Sequence, residues 1–302
     1  VIVKNSEVGL SRFWVEIGPK QADDYGHYTG NYFHDAAKQR AFVFSGGAGY
    51  EDKHLIENNV FEDCNFGAAA TGQLFQFSGG LEGSIVIRKN TMLNCGGAMF
   101  TSTPANEAGP TRDITIKNNT IQTRGGDLFY FFAGANNILV KNNDIDVNLP
   151  EGESKNGSPL TSWGGSSLDS VRIIKNEIKD GYHGLSRYDL NSGAKRPLQI
   201  QNKYSGSSVG FTRNNVSSEN SLVDPLMERA LVRPEESSVE IDLGTEHIPD
   251  GQITTFEISD GRGPSGAEVI FSPTNTTYDV SEEKRLGDGQ TIKMEYDESA
   301  GY

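Results

Sequence analysis

The stretch from Asp113 to Val147 holds the phrase IxIKNNxI and then a second copy with valine for its middle isoleucine, so that Ile116, Asn119 and Ile121 recur 24 residues later as Val140, Asn143 and Ile145. A repeat of this length limits the fold more than any other feature, because each unit must bury its apolar face against the next. The asparagines of the phrase fall at Asn5, Asn31, Asn59, Asn90, Asn119, Asn143, Asn176 and Asn214, separated by 24 to 38 residues. Three residues before each lies Ile2, Tyr28, Ile56, Ile87, Ile116, Val140, Ile173 or Phe211. Two residues after each, from Asn31 onward, lies Phe33, Phe61, Met92, Ile121, Ile145, Ile178 or Val216.

Alternation around the asparagine has period two, which is a strand pattern and not a helical one. β-Branched residues crowd the strands, and glycine or asparagine interrupts them every dozen residues or so. Short strands of this kind become stable when stacked coil on coil, and a parallel β-helix meets that demand. The usual chirality of parallel crossovers makes it right-handed. The fold class expected is all-β: a right-handed parallel β-helix of about seven or eight coils followed by a small antiparallel β domain. Asparagine suits the corner, since it tolerates left-handed backbone angles and its amide can bond its counterpart in the next coil.

Apolar runs between the phrases supply a third strand per coil. Aligned, they stack Phe13, Phe42, Phe75, Phe100, Phe129, Leu160 and Leu185 in one inward column. Alternate positions then face outward, among them Trp14, Glu16, Gln76, Tyr130, Phe132, Trp163 and Tyr188. Loops at 148–157 and 191–197 are polar and turn-rich and belong on the surface beside that face.

The chain has 302 residues, 35% of them hydrophobic, with no apolar run long enough for a membrane span. Val1 already lies in a strand pattern, so the solenoid, residues 1–217, is expected to begin inside a coil with an N-terminal part missing. The net charge of −14 is uneven. Residues 218–302 carry 19 Asp and Glu against 6 Lys and Arg, which leaves 22 acids against 21 bases for residues 1–217. A nearly neutral solenoid lacks the basic balance of a nucleic-acid binder.

After Val216 the run LVDPLMERALVRP reads as a linker or one-turn helix over 218–237, ended by Pro234. From Ser238 to the end, alternating strands are punctuated by Asp250-Gly251, Asp260-Gly261 and Asp288-Gly289, a pattern of a small antiparallel β domain over 238–302. The phrase DGQITTFEISDGRGPSGAEVIF, with the later RLGDGQTIKMEYDE, resembles the β segment that follows the β-helix in many bacteriophage tailspike and tail-fibre proteins. With pectate-lyase-like coils before it, most of the chain is similar to the receptor-binding part of a phage tailspike. That resemblance implies a homotrimer on the virion, outside the cell, joined to other tail proteins through the missing N-terminal part. It also implies a host cell-surface polysaccharide as ligand, bound and in some members depolymerised. The alternative is a secreted bacterial polysaccharide lyase, hydrolase or epimerase with a C-terminal binding module.

Catalysis must be argued from residues, because this solenoid serves many chemistries. Glycoside hydrolysis needs two carboxylates about 5 to 9.5 Å apart, and lyase or epimerase chemistry needs a base and a group that neutralises a carboxylate. The ionisable candidates on the outward sheet are Glu16, Asp127, His183, Arg187 and Asp189. Asp127 and Asp189 fall too far apart to pair, and GYHGLSRYD departs in order from the RHG motif of β-helical lyases. The residues expected to meet a glycan are Trp14, Gln76, Tyr130, Phe132, Trp163 and Tyr188, whose aromatic faces suit sugar rings. The five histidines show no paired ligand spacing and no DxDxDG loop is present, so no metal or cofactor is expected. Cys64 and Cys95 each lie five residues after a coil asparagine, which makes them stacked neighbours, either as a bridge or as two core thiols.

Overall fold

The computed structural model describes residues 2–9, 15–17, 25–35, 40–44, 51–64, 73–78, 82–95, 98–103, 111–123, 128–131, 135–147, 160–162, 168–179, 186–187, 198–200, 202–205, 211–219, 221–223, 229–244, 253–259, 263–275 and 278–296. They fall into two compact units. One comprises Val1–His183 with Ala194–Val209, the other Gly184–Gly193 with Gly210–Tyr302.

The first unit is a parallel solenoid. Its first sheet stacks eight strands, Ile2–Lys4, Tyr25–Thr29, Glu51–Glu57, Glu82–Arg88, Thr111–Lys117, Ala135–Lys141, Leu168–Ile174 and Leu198–Ile200. The second also stacks eight, from Glu7–Gly9 to Lys203–Ser205. In this unit the third sheet contributes six, Val15–Ile17, Arg40–Phe44, Gln73–Ser78, Ala98–Thr103, Phe129–Phe131 and Leu160–Ser162. The number of turns therefore differs from face to face and is not a uniform seven or eight.

Register converts the sequence columns into a core. Tyr28, Ile56, Ile87, Ile116, Val140 and Ile173 are successive Cα partners on the first sheet, and all are buried. Phe33, Phe61, Met92, Ile121, Ile145 and Ile178 do the same on the second. Phe42, Phe75 and Phe100 follow on the third, with Phe75 and Phe100 stacked at 5.3 Å and 6°. Each of these rings loses essentially all its exposure, which stabilises the fold by roughly 1.5 to 3 kcal/mol apiece before entropy is counted.

Both ends of the asparagine series differ from the sequence reading. Val3, not Ile2, pairs with Tyr28, and the Ser6 backbone N–H, not that of Asn5, donates to Asn31 Oδ1 at 3.0 Å. Asn5 instead takes the left-handed turn position, φ 49°. At the other end Asn202 closes the ladder, its Oδ1 accepting from the Asn176 backbone at 2.9 Å. Asn214 lies inside a strand of the second unit, Phe211–Val216. The polar Gln199, partner of Ile173, breaks the apolar column just before Asn202 and hides the last phrase. Likewise Val15, not Phe13, pairs with Phe42 on the third sheet.

The second unit is also all-β, but mostly parallel. Phe211–Val216, Arg229–Pro234 and Ile253–Ile258 pair parallel in series, as do Leu222–Val223 with Asp242–Leu243 and Ser238–Glu240 with Glu268–Phe271. Among the described residues the antiparallel pairings are those of Lys284–Leu286 with Glu268–Phe271 and of Thr291–Glu295 with Ile253–Ile258. The described part of 218–237 contains two of these strands, Leu222–Val223 and Arg229–Pro234. Pro234 sits at the end of its strand, where its missing N–H costs nothing, and Glu235 supplies the next N–H to Val216 O at 2.8 Å. Val216, Val232, Val239, Ile241, Phe256, Ile258, Val269 and Phe271 form this unit's core.

Candidate functional site

The third sheet of the solenoid carries the positions expected to meet a ligand. Glu16 pairs with Val43, Val43 with Gln76, Gln76 with Thr101, Thr101 with Tyr130 and Tyr130 with Thr161. Glu16, Gln76 and Tyr130 therefore share one column, two rungs between each, or roughly 10 Å at the usual strand spacing. Gln76 is not on an open face: it is 4% exposed, and Leu74, Phe75 and Phe77 beside it are buried too, so both faces of this strand are covered. Arg187 lies in the strand Ser186–Arg187 of the second unit. Trp14, Asp127, Phe132, Trp163, His183, Tyr188 and Asp189 lie outside the described residues.

Two ionic clusters sit on the other faces of the solenoid. On the first sheet Glu57 bridges the coils above and below: Arg88 Nη2 lies 2.7 Å and Arg88 Nε 2.8 Å from Oε2, and His27 Nε2 lies 3.1 Å from Oε1. Partial burial alone pushes the Glu57 carboxyl up, but the bonds from Arg88 and His27 outweigh it and hold the group below its ordinary value. A carboxylate held ionised by Arg88 and also hydrogen-bonded to His27 is a poor general base, and this trio is a structural clamp across three rungs.

On the second sheet both ring nitrogens of His34 face carboxylates, Nδ1 at 2.8 Å from Asp35 Oδ2 and Nε2 at 3.1 Å from Glu7 Oε1. The bond to Asp35 is the largest influence, and together they raise the His34 pKa above its ordinary value. Tyr32 stacks on His34 at 4.6 Å and donates to Glu62 Oε2 at 2.5 Å; that bond, first among several acidic influences, pushes the Tyr32 phenol up to about 12. Among the described residues no group of three or more His, Cys, Asp or Glu side chains has the geometry to hold a metal ion. Asp144 is engaged by Lys179 at 2.9 Å.

Cys64 and Cys95 are free thiols, both buried. Burial, reinforced by the neighbouring Cys95, pushes the Cys64 thiol well above its ordinary value, so Cys64 is not set up as a nucleophile.

The clamp was legible in the repeat but unread. Glu57 and Arg88 each stand two residues before a ladder asparagine, and His27 stands four before Asn31. Aligning outward positions as carefully as inward ones brings Glu57 against Arg88.

Residues 21–178 match the family model described as right handed beta helix region, which is more than half of the chain. Searches of curated proteins and of solved structures found no match to the chain.

Proposed function

Because the chain belongs to the right-handed β-helix family, with a pectate-lyase-like solenoid, we propose that it is the polysaccharide-recognising shaft of a bacteriophage tailspike or tail fibre. The family supports a polysaccharide-binding or polysaccharide-processing role. The finer reading rests on one observation, the third-sheet column in which Thr101, Tyr130 and Thr161 follow one another in register. Threonine, tyrosine and threonine on successive rungs, about 4.8 Å apart, are residue types that match the mixture of apolar ring face and hydroxyl edge that a sugar presents.

In this reading the ligand is a host cell-surface polysaccharide. The chain acts as a homotrimer on the virion, outside the cell, attached to other tail proteins through further sequence. With Tyr130, the residues to test for glycan contact are Trp14, Phe132, Trp163 and Tyr188; Gln76, which is covered, is the control. His183, Arg187, Asp189, Asp127 and Glu16 are the groups to test for depolymerase chemistry.

The test changes Tyr130 and Trp163 to alanine separately in the full chain. Binding to purified bacterial surface polysaccharide is followed by calorimetry, and native mass by light scattering. Loss of binding with the oligomer intact supports the reading. Conversion to a monomer with binding retained assigns the aromatics to a subunit interface instead. Release of new reducing ends or unsaturated sugars by a monomeric wild type supports the secreted enzyme.

A further inference from the structure

On the outward side of the first sheet Glu57, Arg88, Lys117 and Lys141 occupy successive rungs, each the Cα partner of the next. Rungs stand about 4.8 Å apart, so three like charges run along the solenoid axis. Glu57 neutralises Arg88 at one end. Lys117 and Lys141 have no carboxylate partner among the described residues, and the acids Asp144 and Glu177 beyond the corner are engaged by Lys179 at 2.9 and 3.6 Å.

A solvated face normally alternates its charges. In a chain with 41 acids and 27 bases, stacked cations without interleaved acids give this face a local positive potential that attracts an anion. The adjoining outward column, Val86, Thr115 and Leu139, lies on the same three strands and in the same register. It is only half-buried. A cationic rail beside a half-exposed apolar rail fits one class of ligand, a linear polymer that alternates carboxylates with apolar ring faces.

We infer that this face of the solenoid binds an acidic polysaccharide lying along its axis. The carboxylates rest on Lys117 and Lys141, and the ring faces rest on Val86 and Leu139. No bond is made or broken. The inference rests on the polysaccharide reading above but uses a different face, with the Glu57–Arg88 pair fixing the end of the rail.

The experiment titrates the full chain with polygalacturonate, its methyl ester and neutral dextran. The variants are K117A, K141A, the double variant and Y130A, with K117Q as a control that keeps most of the side-chain stem over the apolar rail. Removing one lysine should weaken binding of the acid polymer roughly five-fold, and removing both roughly twenty-five-fold, as for exposed charge contacts. Melting should be unchanged, the methyl ester should bind poorly, and added salt should weaken the acid polymer's binding. K117Q should behave like K117A. Equal affinity for polymer and ester, or an unaffected double variant, overturns the inference. If Y130A alone abolishes binding, this inference fails while the third-sheet reading stands. If dextran binds and the acid polymer does not, the result is the same, and if no glycan binds, both fail. Loss of self-association in place of glycan binding reassigns the rail to an interface between copies and also overturns it.

Discussion

Asn119 Oδ1 accepts two hydrogen bonds from Asn90, one from its backbone N–H and one from its Nδ2, each 3.0 Å long. Asn119 in turn gives Nδ2 to Asn143 Oδ1 at 2.9 Å and to Ile87 O at 3.1 Å. Each ladder amide from Asn59 to Asn176 thus uses both acceptor sites and both donors, which is all the hydrogen bonding an asparagine side chain has. Every member from Asn31 to Asn176 is buried, so the ladder fixes the coil spacing by leaving no alternative partner.

Replacing Asn119 with alanine takes the side-chain acceptor from the Asn90 N–H and the Nδ2 donor from the Ile87 carbonyl, and it removes one of the two partners of Asn90 Nδ2, which keeps Ile56 O, and of Asn143 Oδ1, which keeps the Asn119 backbone N–H. We expect a loss of about 2 to 4 kcal/mol, the size of two unsatisfied buried groups partly relieved by relaxation. Asn202→Ala, at the half-buried end of the ladder, should cost about 1 kcal/mol. Urea unfolding measures both, and equal losses would show that burial does not set the ladder's strength.

The residue before each ladder asparagine from Asn31 to Asn176 carries the left-handed angle. Gly30 has φ 65°, Asn58 55°, Lys89 53°, Asn118 55°, Asn142 53° and Lys175 55°. Left-handed backbone costs an ordinary L-residue about 1 to 2 kcal/mol, and glycine recovers most of it at some entropic cost. Lys89→Gly and Lys175→Gly should each therefore raise stability by about 0.5 to 1 kcal/mol. Asn142→Gly should gain less, because asparagine already tolerates the angle. Thermal melts rank the three.

These angles show how far the sequence could be read. Asparagine at the corner was legible, but its two roles were merged: the ladder asparagine bonds, and its predecessor turns. The inward columns through Ile87 and Met92 were legible because period two with β-branched or aromatic residues admits little else. Asn214 misled because FTRNNV matches the phrase locally. A single phrase carries no information about which sheet it joins, and only pairing with Arg229–Pro234 settles that. The parallel strands of 218–237 were obscured by Pro225 and Pro234, since proline is read as a breaker unless its N–H is known to face no partner. Burial of Gln76 was not legible either, because alternation predicts direction and says nothing of what lies over the sheet.

Protonation of His34 and of Glu57 should move stability in opposite directions with pH. The His34 pKa is raised above its ordinary 6.5, so its contribution is full below 6.5 and is lost as pH rises through the folded value. The Glu57 pKa is lowered from 4.5, so its contribution is present above 4.5 and is lost as pH falls through the folded value. NMR titration should show the His34 pKa falling in Asp35→Asn by more than in Glu7→Gln, since Asp35 is the larger influence. An unmoved His34 pKa in Asp35→Asn would contradict the bonding described.

Gly26 stands opposite His54, which stands opposite Ile85, in one inward column of the first sheet. A Cβ on Gly26 would meet His54 Nδ1 at 2.8 Å and Tyr28 Cε2 at 3.0 Å. Both rings are buried, and His54 also packs 5.4 Å from Phe44, so neither has room to swing away. The backbone angle of Gly26 is not left-handed, which makes the clash steric and not conformational. Gly26→Ala should therefore destabilise by about 1 to 3 kcal/mol, the usual cost of overpacking. His54→Ala alone should cost about 2 to 4 kcal/mol through the cavity it leaves. Combined, the added methyl enters that cavity, and the double variant should be more stable than the sum of the two by at least about 1 kcal/mol. Chemical denaturation of the four proteins gives the coupling directly; additivity to within about 0.5 kcal/mol would show that Gly26 is not there to make room for the His54 ring.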